Sequence, residues 1–465
     1  MGAPAKKLEP TPPSAITPHS NITDFGRRIF RLIGEKQPST FNKNYWSGRI
    51  MEWSMRRPDF KLNMFRLVDV LPTLRDSASI ARHVSEYLAP IGSDLYRPLG
   101  WALDINPHSL RAKIMAFIVQ RVVGQMASQF IAGSSPQEAL KPLRASRRRG
   151  QAFTVDLLGE YSVSEVEALR YLERYLEALE VLRLATPEWD ERAPLIPGHP
   201  GDLSPVCVSV KLSALYSQCH ILNFERSVAV LSERLAAIAR KAQQAAATLY
   251  VDAEDSGTNP MIYEAFCRVF SSPEFAAFPY PGIVVQAYAK EARQVIDKLL
   301  RFAAARGPIA IRLVKGAYWD HETILSTQND WPSPLFSFKQ SSDANYELLT
   351  QLLLDNHAIV LPAFGSHNVR SLSHACCYAE RLGLDRTKFE LQMLYGMADP
   401  IAAAFQSLGY LVRLYVPLGE ILPGMGYLVR RLLENTSNES FLRHTFFDSA
   451  EIDNLLSAPQ FQENL

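Results

Sequence analysis

A stripe of one aromatic and three charged side chains lies near the end of the chain. Tyr427, Arg430, Arg431 and Glu434 are spaced to fall within roughly a 100° arc of one helix, and the opposite arc is apolar. Two adjacent guanidinium groups beside a tyrosine can grip a carboxylate, so the spacing predicts a helix that binds a small acid. A solvent-exposed Arg/Glu face with i,i+4 ion pairs is the alternative.

Further polar residues stand where short β-rich runs end. They are Asp156, Glu160, Lys211, Asp252, Glu254, Gln286, Tyr288, Arg312, Lys315, Ser366, His367, Asn368, Gln392 and Tyr415. Any one of them could be an ordinary salt-bridged loop residue. Because the carboxyl ends of barrel strands meet on one rim, the set predicts a polar ligand pocket that the arginine stripe can also reach.

The elements that must position these residues alternate between short β-rich runs and longer helical spacers. The runs are 153–157, 206–210, 248–251, 283–287, 309–314, 358–361, 388–392 and 411–415, and 224–245 and 289–305 are two of the spacers. Eight such units predict an α/β fold, a (β/α)8 TIM-like barrel. A doubly wound sheet is the alternative, but the G-x-G-x-x-G turn that usually accompanies it is absent from the sequence.

The chain divides into four predicted parts. Residues 1–20 are Pro- and Ser-rich and predict a disordered tail, residues 21–145 a helical domain or arm, residues 146–441 the barrel, and residues 442–465 a C-terminal tail. Two apolar stripes at helical spacing support the helical part. They are Phe25, Ile29, Phe30 and Ile33, and then Ile114, Phe117, Ile118 and Val122 with Arg121.

Composition excludes several classes of protein. Of 465 residues 47% are hydrophobic, and 49 Lys and Arg against 48 Asp and Glu give a formal charge of +1, so no bulk attraction to nucleic acid is expected. The basic cluster at 144–149 is short and lacks aromatic residues, so no nucleic-acid partner is predicted. No metal site is predicted either.

Cysteine usage and hydropathy bear on location. Five cysteines without C-x-x-C spacing indicate reduced thiols in a cytoplasmic protein. The N-terminal residues contain no apolar signal segment, and no run of about 18 uncharged apolar residues predicts a spanning helix. These observations exclude a spanning helix but not a peripheral contact with a membrane.

Ordered motifs in the barrel part resemble those of flavin-dependent proline dehydrogenases. They are 156–160 (DLLGE), 210–214 (VKLSA), 251–254 (VDAE), 285–288 (VQAY), 312–319 (RLVKGAYW), 366–368 (SHN), 392–397 (QMLYGM), 415–419 (YVPLG) and 427–435 (YLVRRLLEN). The resemblance covers residues 60–441 and is closest to the proline dehydrogenase part of bifunctional proline utilization A proteins.

The resemblance implies an activity, a cofactor and partners. Members of the family hold FAD non-covalently and oxidise L-proline to Δ1-pyrroline-5-carboxylate, by hydride transfer from proline C5 to flavin N5, as the first step of proline catabolism. Electrons then pass to a quinone, which implies a peripheral contact with the inner membrane face. An aldehyde dehydrogenase that consumes the product is a further implied partner.

The same resemblance implies roles for individual residues. The implied cofactor contacts are Asp252, Ala253, Gln286, Arg312, Val314, Lys315, Gly316, Ala317, Trp319, Ser366, His367, Asn368, Gln392 and Glu434, with Arg312 at flavin N5. The implied substrate contacts are Lys211, Asp252, Tyr318, Leu394, Tyr415, Tyr427, Arg430 and Arg431, and Arg312, Asp252 and Tyr415 carry the implied catalytic roles. Relatives that prefer hydroxyproline have a smaller residue at the position of Tyr415, so its tyrosine favours proline.

Two details of the implied site stay open. Glu160 is an expected ion-pair partner of Arg430 in the empty site. Asp252 is the candidate proton acceptor, although orienting a neighbouring tyrosine or lysine is at least as good a reading of that carboxylate.

Other interpretations stay open at this point. A barrel lyase or aldolase could use Lys211 or Lys315 as a Schiff-base amine, and a degenerate barrel could serve as a scaffold. The sequence has no Rossmann or thiol-nucleophile pattern of an aldehyde dehydrogenase. It therefore predicts either a single-function dehydrogenase or a fragment of a larger polypeptide.

Overall fold

The computed structural model describes residues 19–35, 63, 66–67, 70–74, 76–88, 106–159, 161–189, 204–420 and 449–462. Its helices are α1 His19–Glu35, α2 Ser77–Leu88, α3 Leu110–Phe130, α4 Pro136–Arg148, α5 Glu165–Ala185, α6 Phe224–Gln244, α7 Asn259–Phe270, α8 Ala292–Arg306, α9 Trp319–Gln328, α10 Lys339–Asp355, α11 Val369–Arg381, α12 Asp399–Ser407 and α13 Ser449–Leu455. Its strands are β1 Ala152–Leu157, β2 Cys207–Val210, β3 Thr248–Val251, β4 Gly282–Gln286, β5 Ile309–Val314, β6 Val360–Gly365, β7 Glu390–Leu394 and β8 Val412–Leu418.

The eight strands form a closed parallel barrel in sequence order, with β8 pairing back onto β1. The predicted (β/α)8 barrel is therefore confirmed, and the doubly wound sheet is excluded because such a sheet is open.

Side chains alternate along each strand between the helical layer and the barrel interior, as the period of a strand requires. On β5, Ile309, Ile311 and Leu313 join the large apolar core that lies between strands and helices. Ala310 belongs to a smaller cluster of interior side chains. Arg312, two positions further along β5, is buried. The apolar outward positions carry the packing of the fold and leave inward positions available for polar residues.

Three strands differ from the predicted runs by two residues or more at one or both ends, and two of these three contain a proline. β6 begins at Val360 and continues through Pro362, whereas 358–361 was predicted. Ile359 lies outside β6 because its amide closes a turn onto the Asn356 carbonyl at 3.0 Å. β8 continues through Pro417 to Leu418, beyond the end of the predicted run 411–415. Pro417 is tolerated because the pairing of β8 with β7 ends at Tyr415, so no ladder bond from residue 417 to β7 is lost.

The third difference is at β7. The run 388–392 was predicted, but the chain forms a 3-10 turn over Arg386–Lys388 before β7 begins at Glu390. The run was therefore placed two residues too early.

One helix outside the barrel, α1, closes its flank. α1 packs on α11 and α12 through Ile22, Ile29, Phe30 and Ile33, all buried. The second predicted stripe does form part of a helix, α3, but it does not face the described core. Ile114, Phe117 and Ile118 are exposed, whereas Met115 and Ala116 are buried. Among the helices that the structure describes, none is long and apolar enough to cross a bilayer.

Some predictions fall outside the described residues. They concern Glu160, Tyr427, Arg430, Arg431 and Glu434, residues 1–18 of the tail predicted at 1–20, and residues 442–448 and 463–465 of the C-terminal tail.

Candidate functional site

One cavity of about 1250 Å³ opens at the carboxyl ends of the strands. Every predicted cofactor or substrate residue within the described part of the chain lines it. These are Lys211, Asp252, Ala253, Gln286, Arg312, Val314, Lys315, Gly316, Ala317, Tyr318, Trp319, Ser366, His367, Asn368, Gln392, Leu394 and Tyr415. They come from β2 to β8 or from the loops that follow, so closure of the barrel brings them together.

The centre of the cavity holds a buried lysine between two carboxylates and a phenol. Lys211 Nζ donates to Asp156 Oδ1 at 2.6 Å, to Tyr415 Oη at 3.0 Å and to Asp252 Oδ2 at 3.3 Å. The Tyr415 hydroxyl in turn donates to Asp252 Oδ2 at 2.6 Å. The sequence indicated Asp156 as a strand-end residue but gave it no cofactor, substrate or catalytic role. Its carboxylate accepts the shortest of the three hydrogen bonds that Lys211 donates.

Arg312 lies on the other side of Asp252. Its Nη1 donates to Asp252 Oδ1 at 2.9 Å and to Ser209 Oγ at 3.0 Å, and its guanidinium carbon lies 4.2 Å from the centroid of the Tyr250 ring. Nε and Nη2 of Arg312 are buried and have no hydrogen-bond partner within the described part of the chain. A buried N–H without a partner is costly, so these two donors indicate a ligand that accepts from them.

The charges in this cluster are well defined at neutral pH. Burial alone would raise the pKa of Asp252, but Lys211, Arg312 and the Tyr415 hydroxyl outweigh it and lower that pKa. Burial alone would lower the pKa of Lys211, yet Asp156 and its other neighbours hold it well above the usual value. Burial raises the pKa of Asp156 to about 6, against the attraction of Lys211. Lys211 is therefore an ammonium and Asp252 a carboxylate.

A second ion pair supports the cluster from deeper in the barrel. Arg413 Nε donates to Glu390 Oε1 at 2.9 Å, and Arg413 Nη1 donates to the Phe153 carbonyl at 2.9 Å. The Gln392 amide nitrogen also donates to Glu390. These bonds fix Gln392, whose side chain lines the cavity.

The loop after β5 approaches the cavity through a glycine. Gly316 has a φ of 132°, and a Cβ at this position would lie 2.4 Å from the Tyr288 ring. Only glycine satisfies both conditions, so the Lys315–Gly316 backbone can lie directly on Tyr288. The Lys315 ammonium bonds Asp343, whose other oxygen accepts from Lys339 at 2.6 Å.

The loop after β6 is held by its own side chains. The amide of Leu394 donates to His367 Nε2 at 2.9 Å, and the amide of Asn368 donates to Ser366 Oγ at 3.0 Å. Asn368 Oδ1 accepts from the Ser371 amide at 3.0 Å and so caps α11. The N-terminus of α11 with its positive dipole end therefore faces the cavity.

Sequence reasoning missed a second set of lining residues. They are Ser337, Lys339, Gln340, Ser342, Asp343, Glu347, Arg370 and Ser371, together with Asn454, Leu455, Ser457, Ala458 and Pro459. The first group surrounds the N-termini of α10 and α11, and the second follows α13. The pair Lys339 and Asp343 at i,i+4 was a visible signal, although that spacing is equally typical of a solvated helix.

These features fit a flavin dinucleotide. The volume exceeds the roughly 300–1,000 Å³ of pockets for drug-sized ligands, as a dinucleotide requires. The unpartnered Arg312 donors lie at the buried end, and lysines and a helix N-terminus at the other end suit phosphate groups. The fold and the site therefore define a (β/α)8 barrel whose cavity has a buried cationic centre and room for a large anionic ligand.

Two protein-family models match the chain: Proline dehydrogenase over residues 139–444 and Proline utilization A N-terminal domain over residues 19–130. The chain therefore belongs to the proline dehydrogenase family. The resemblance stated from the motifs is confirmed, and with it membership of a family of oxidoreductases that act on proline. The second match extends into residues 19–59, which those motifs did not cover.

Individual relatives agree with this assignment. The bifunctional protein PutA of Escherichia coli (strain K12) is 31% identical over 343 residues, which are 72% of this chain and 25% of that protein. Proline dehydrogenase 1 of Bacillus subtilis subsp. natto is 26% identical over 318 residues, which are 68% of this chain and 89% of that protein.

A solved structure is similar over most of the chain. The crystal structure of proline utilization A (PutA) from Bdellovibrio bacteriovorus, inactivated by N-propargylglycine, is 42% identical with a TM-score of 0.84. The match covers 95% of this chain and 44% of that one. The chain thus spans about a quarter of the E. coli relative and under half of the Bdellovibrio one.

Proposed function

We propose that this chain oxidises L-proline to Δ1-pyrroline-5-carboxylate with FAD as the hydride acceptor. The observation that carries the proposal is the pair of buried Arg312 donors without a partner in the described chain, Nε and Nη2. The third nitrogen, Nη1, shares Asp252 with the Lys211 ammonium inside the same cavity. One end of such a site can hold an electron-accepting ring, and the adjacent cation can hold an amino acid carboxylate.

FAD, when bound, supplies N5 as the hydride acceptor. Arg312 would donate to the N5 edge and stabilise the negative charge that develops there. Gln286, which is buried and accepts from Asn259 at 3.4 Å, would bond the pyrimidine edge. Lys315, Ser366, His367 and Asn368 would hold the ribityl and phosphate parts, with Trp319 as a wall.

Lys211 is the described residue best suited to the proline carboxylate. Its ammonium is kept protonated, and Tyr415 and Leu394 line the cavity with it. The pyrrolidine ring would pack on these two side chains, which positions C5 for transfer. Arg430, Arg431 and Tyr427 keep their predicted substrate roles from the sequence, as does Tyr318, which lines the same cavity.

Asp252 is assigned an orienting role. Its pKa is lowered, which makes it a weak base, and it accepts from Arg312, Ser209, Lys211 and Tyr415. A carboxylate bonded in this way fixes the direction of the guanidinium and of the phenol.

The Schiff-base alternative requires a neutral amine. The pKa of Lys211 lies well above its usual value, so at neutral pH its nitrogen carries no free lone pair. Lys315 is a better amine because burial lowers its pKa, although Asp343 opposes that shift. Borohydride trapping with substrate tests this alternative directly.

The decisive experiment is a visible spectrum of the purified chain supplied with FAD, followed by anaerobic L-proline. A flavin band that bleaches with L-proline and persists with D-proline is expected. A band that persists with both keeps the cofactor but moves the substrate to another amine. No bound flavin, together with borohydride trapping, would replace the proposal with the Schiff-base enzyme.

We also propose a quinone as electron acceptor, a peripheral membrane contact and an aldehyde dehydrogenase partner for the product. All three rest on the family, one member of which is named bifunctional. Reoxidation of the reduced enzyme by a short-chain soluble quinone, with and without anionic vesicles, tests the first two. Failure of the quinone to reoxidise it would remove the acceptor.

A further inference from the structure

The residues that follow α13 form one wall of the cavity. Asn454, Leu455, Ser457, Ala458 and Pro459 line it, although they lie outside the barrel and follow it in the chain. The sequence pattern assigned them to a tail, and no family motif described above includes them. We refer to residues 454–459 as the C-terminal wall.

Packing fixes the C-terminal wall in place. Leu456 is fully buried, and a Cβ on Gly26 of α1 would lie 2.3 Å from Leu456 Cδ2, so α1 approaches the wall as closely as a glycine allows. Arg27 Nε donates to Asp453 Oδ1 at 2.9 Å on the exposed side. Beyond the wall, the Gln462 amide donates to Ser341 Oγ at 3.1 Å.

Arg370 joins the C-terminal wall to the barrel. Its Nη1 donates to the Leu456 carbonyl at 2.9 Å, while Nε and Nη2 donate to the two oxygens of Glu347 at 2.8 and 3.0 Å. Arg370 and Glu347 also line the cavity. The wall is therefore attached at the N-termini of α10 and α11, on the phosphate side of the site.

The position of the C-terminal wall defines which part of a dinucleotide it can meet. The redox ring must lie beside Lys211, Arg312 and Tyr415, because the substrate cation and the unpartnered donors are there. The other half of the ligand then extends past Lys315 and the α11 N-terminus toward Asn454. We propose, as an extension of the proposed function, that the C-terminal wall binds the adenosine half of FAD.

The side chains of the wall suit an adenosine. Asn454 is exposed to the cavity and offers an amide donor and acceptor. Ser457 Oγ donates to the Asn454 carbonyl at 2.6 Å and keeps its lone pairs for an incoming hydroxyl or amine. Leu455 and Pro459 provide apolar surface for the base. Arg370 is a positioning residue for this wall.

The test compares two flavins on the full chain. FAD and FMN share the isoalloxazine, ribityl and first phosphate, and only FAD has the adenosine. The double variant Asn454→Ala/Ser457→Ala should weaken FAD binding about tenfold and leave FMN binding unchanged, measured by quenching of flavin fluorescence. Asp453→Ala is the control, since its carboxylate bonds Arg27 on the exposed side, and it should bind both flavins like the parent.

A second measurement needs no variant. Amide hydrogen exchange of residues 452–459 should slow when FAD is added and stay unchanged with FMN. Equal FAD affinity in parent and double variant, or equal losses for both flavins, would overturn the assignment. A parent chain that binds neither flavin would instead overturn the proposed function and this extension with it.

Discussion

Tyr415 and Asp252 are joined by a 2.6 Å hydrogen bond from the phenol to Oδ2, which connects β8 to the residue that follows β3. The other oxygen, Oδ1, accepts from Arg312 at 2.9 Å and from Ser209 at 3.0 Å. One carboxylate thus orients both the residue proposed to contact the flavin and the residue proposed to contact the substrate. A substitution of Arg312 or of Tyr415 should therefore alter the orientation of the other residue through Asp252.

Tyr415→Phe tests this connection. The variant keeps the ring but removes the donor to Asp252 and the acceptor of Lys211. Loss of hydrogen bonds to buried charged groups costs about 1–3 kcal/mol, so kcat/KM for L-proline should fall by roughly tenfold or more, with FAD still bound. Tyr263→Phe is the control, because its hydroxyl donates to a backbone carbonyl, that of Val284, at 3.3 Å. A Tyr415→Phe enzyme with parental kcat/KM would contradict the proposed role.

Lys211→Met should destabilise the fold, because it leaves two buried carboxylates near each other without their ammonium. Breaking a buried ion pair on one side costs about 3–5 kcal/mol. The double variant Lys211→Met/Asp156→Asn removes one unpaired charge and should recover part of that loss. Denaturant midpoints at pH 7 measure both. If the single variant were as stable as the parent, Lys211 and Asp156 would not be paired ions in the folded chain.

Arg312→Met should separate cofactor chemistry from cofactor binding. The variant loses the N–H donors aimed at the ligand, and loss of such donors typically lowers rates by about 10²–10³-fold. The rate of flavin reduction by L-proline, followed by stopped-flow absorbance, should fall by that factor. Arg293→Met is the matched control, since Arg293 pairs with Asp297 on the surface of α8. Reduction at the parental rate in Arg312→Met would remove Arg312 from the reaction.

The sequence predicts some strands to the residue and others only nearby. The bounds of β3 and β5 coincide with the predicted runs 248–251 and 309–314, because both have apolar outward positions and clear helical flanks. β8 was predicted to end at Tyr415, but it continues to Leu418 through Pro417. Only the end of the β7 ladder at Tyr415 explains why a proline is accommodated further along.

The candidate site was likewise predictable from the sequence only in part. Residues that follow strands could be placed on one rim from chain order alone, and they lie around the cavity. Their pairing could not be predicted, because it depends on register. Asp156 lies opposite Ser209, which brings its carboxylate beside Lys211, the residue that directly follows β2. The C-terminal wall could not be predicted at all, since only packing on α1 and Arg370 brings it to the cavity.

The ion pair of Arg370 and Glu347 predicts how the stability of the fold depends on pH. Burial would raise the pKa of Glu347. The His374 ring, whose Nδ1 lies 3.1 Å from Oε2, and the two hydrogen bonds from Arg370 outweigh burial and lower the pKa from 4.5 to about 2. A carboxyl whose pKa is lower in the folded state contributes stability that is fully present above pH 4.5 and is lost as the pH falls toward 2. A shift of this size corresponds to roughly 3 kcal/mol.

Glu347→Gln should therefore lose stability at pH 7, and the difference from the parent should shrink between pH 4.5 and pH 2. Urea midpoints measured across that range check the prediction. Glu274→Gln is the control: Glu274 also accepts two hydrogen bonds from an arginine, Arg240, but on the surface, where salt screens the pair. If the stability difference between Glu347→Gln and the parent stayed constant with pH, the carboxylate would not be ionised in the folded chain.

The same variant should loosen the C-terminal wall, because Arg370 bonds both Glu347 and the Leu456 carbonyl. Residues 452–459 should exchange amide hydrogens faster in Glu347→Gln and at the parental rate in Glu274→Gln.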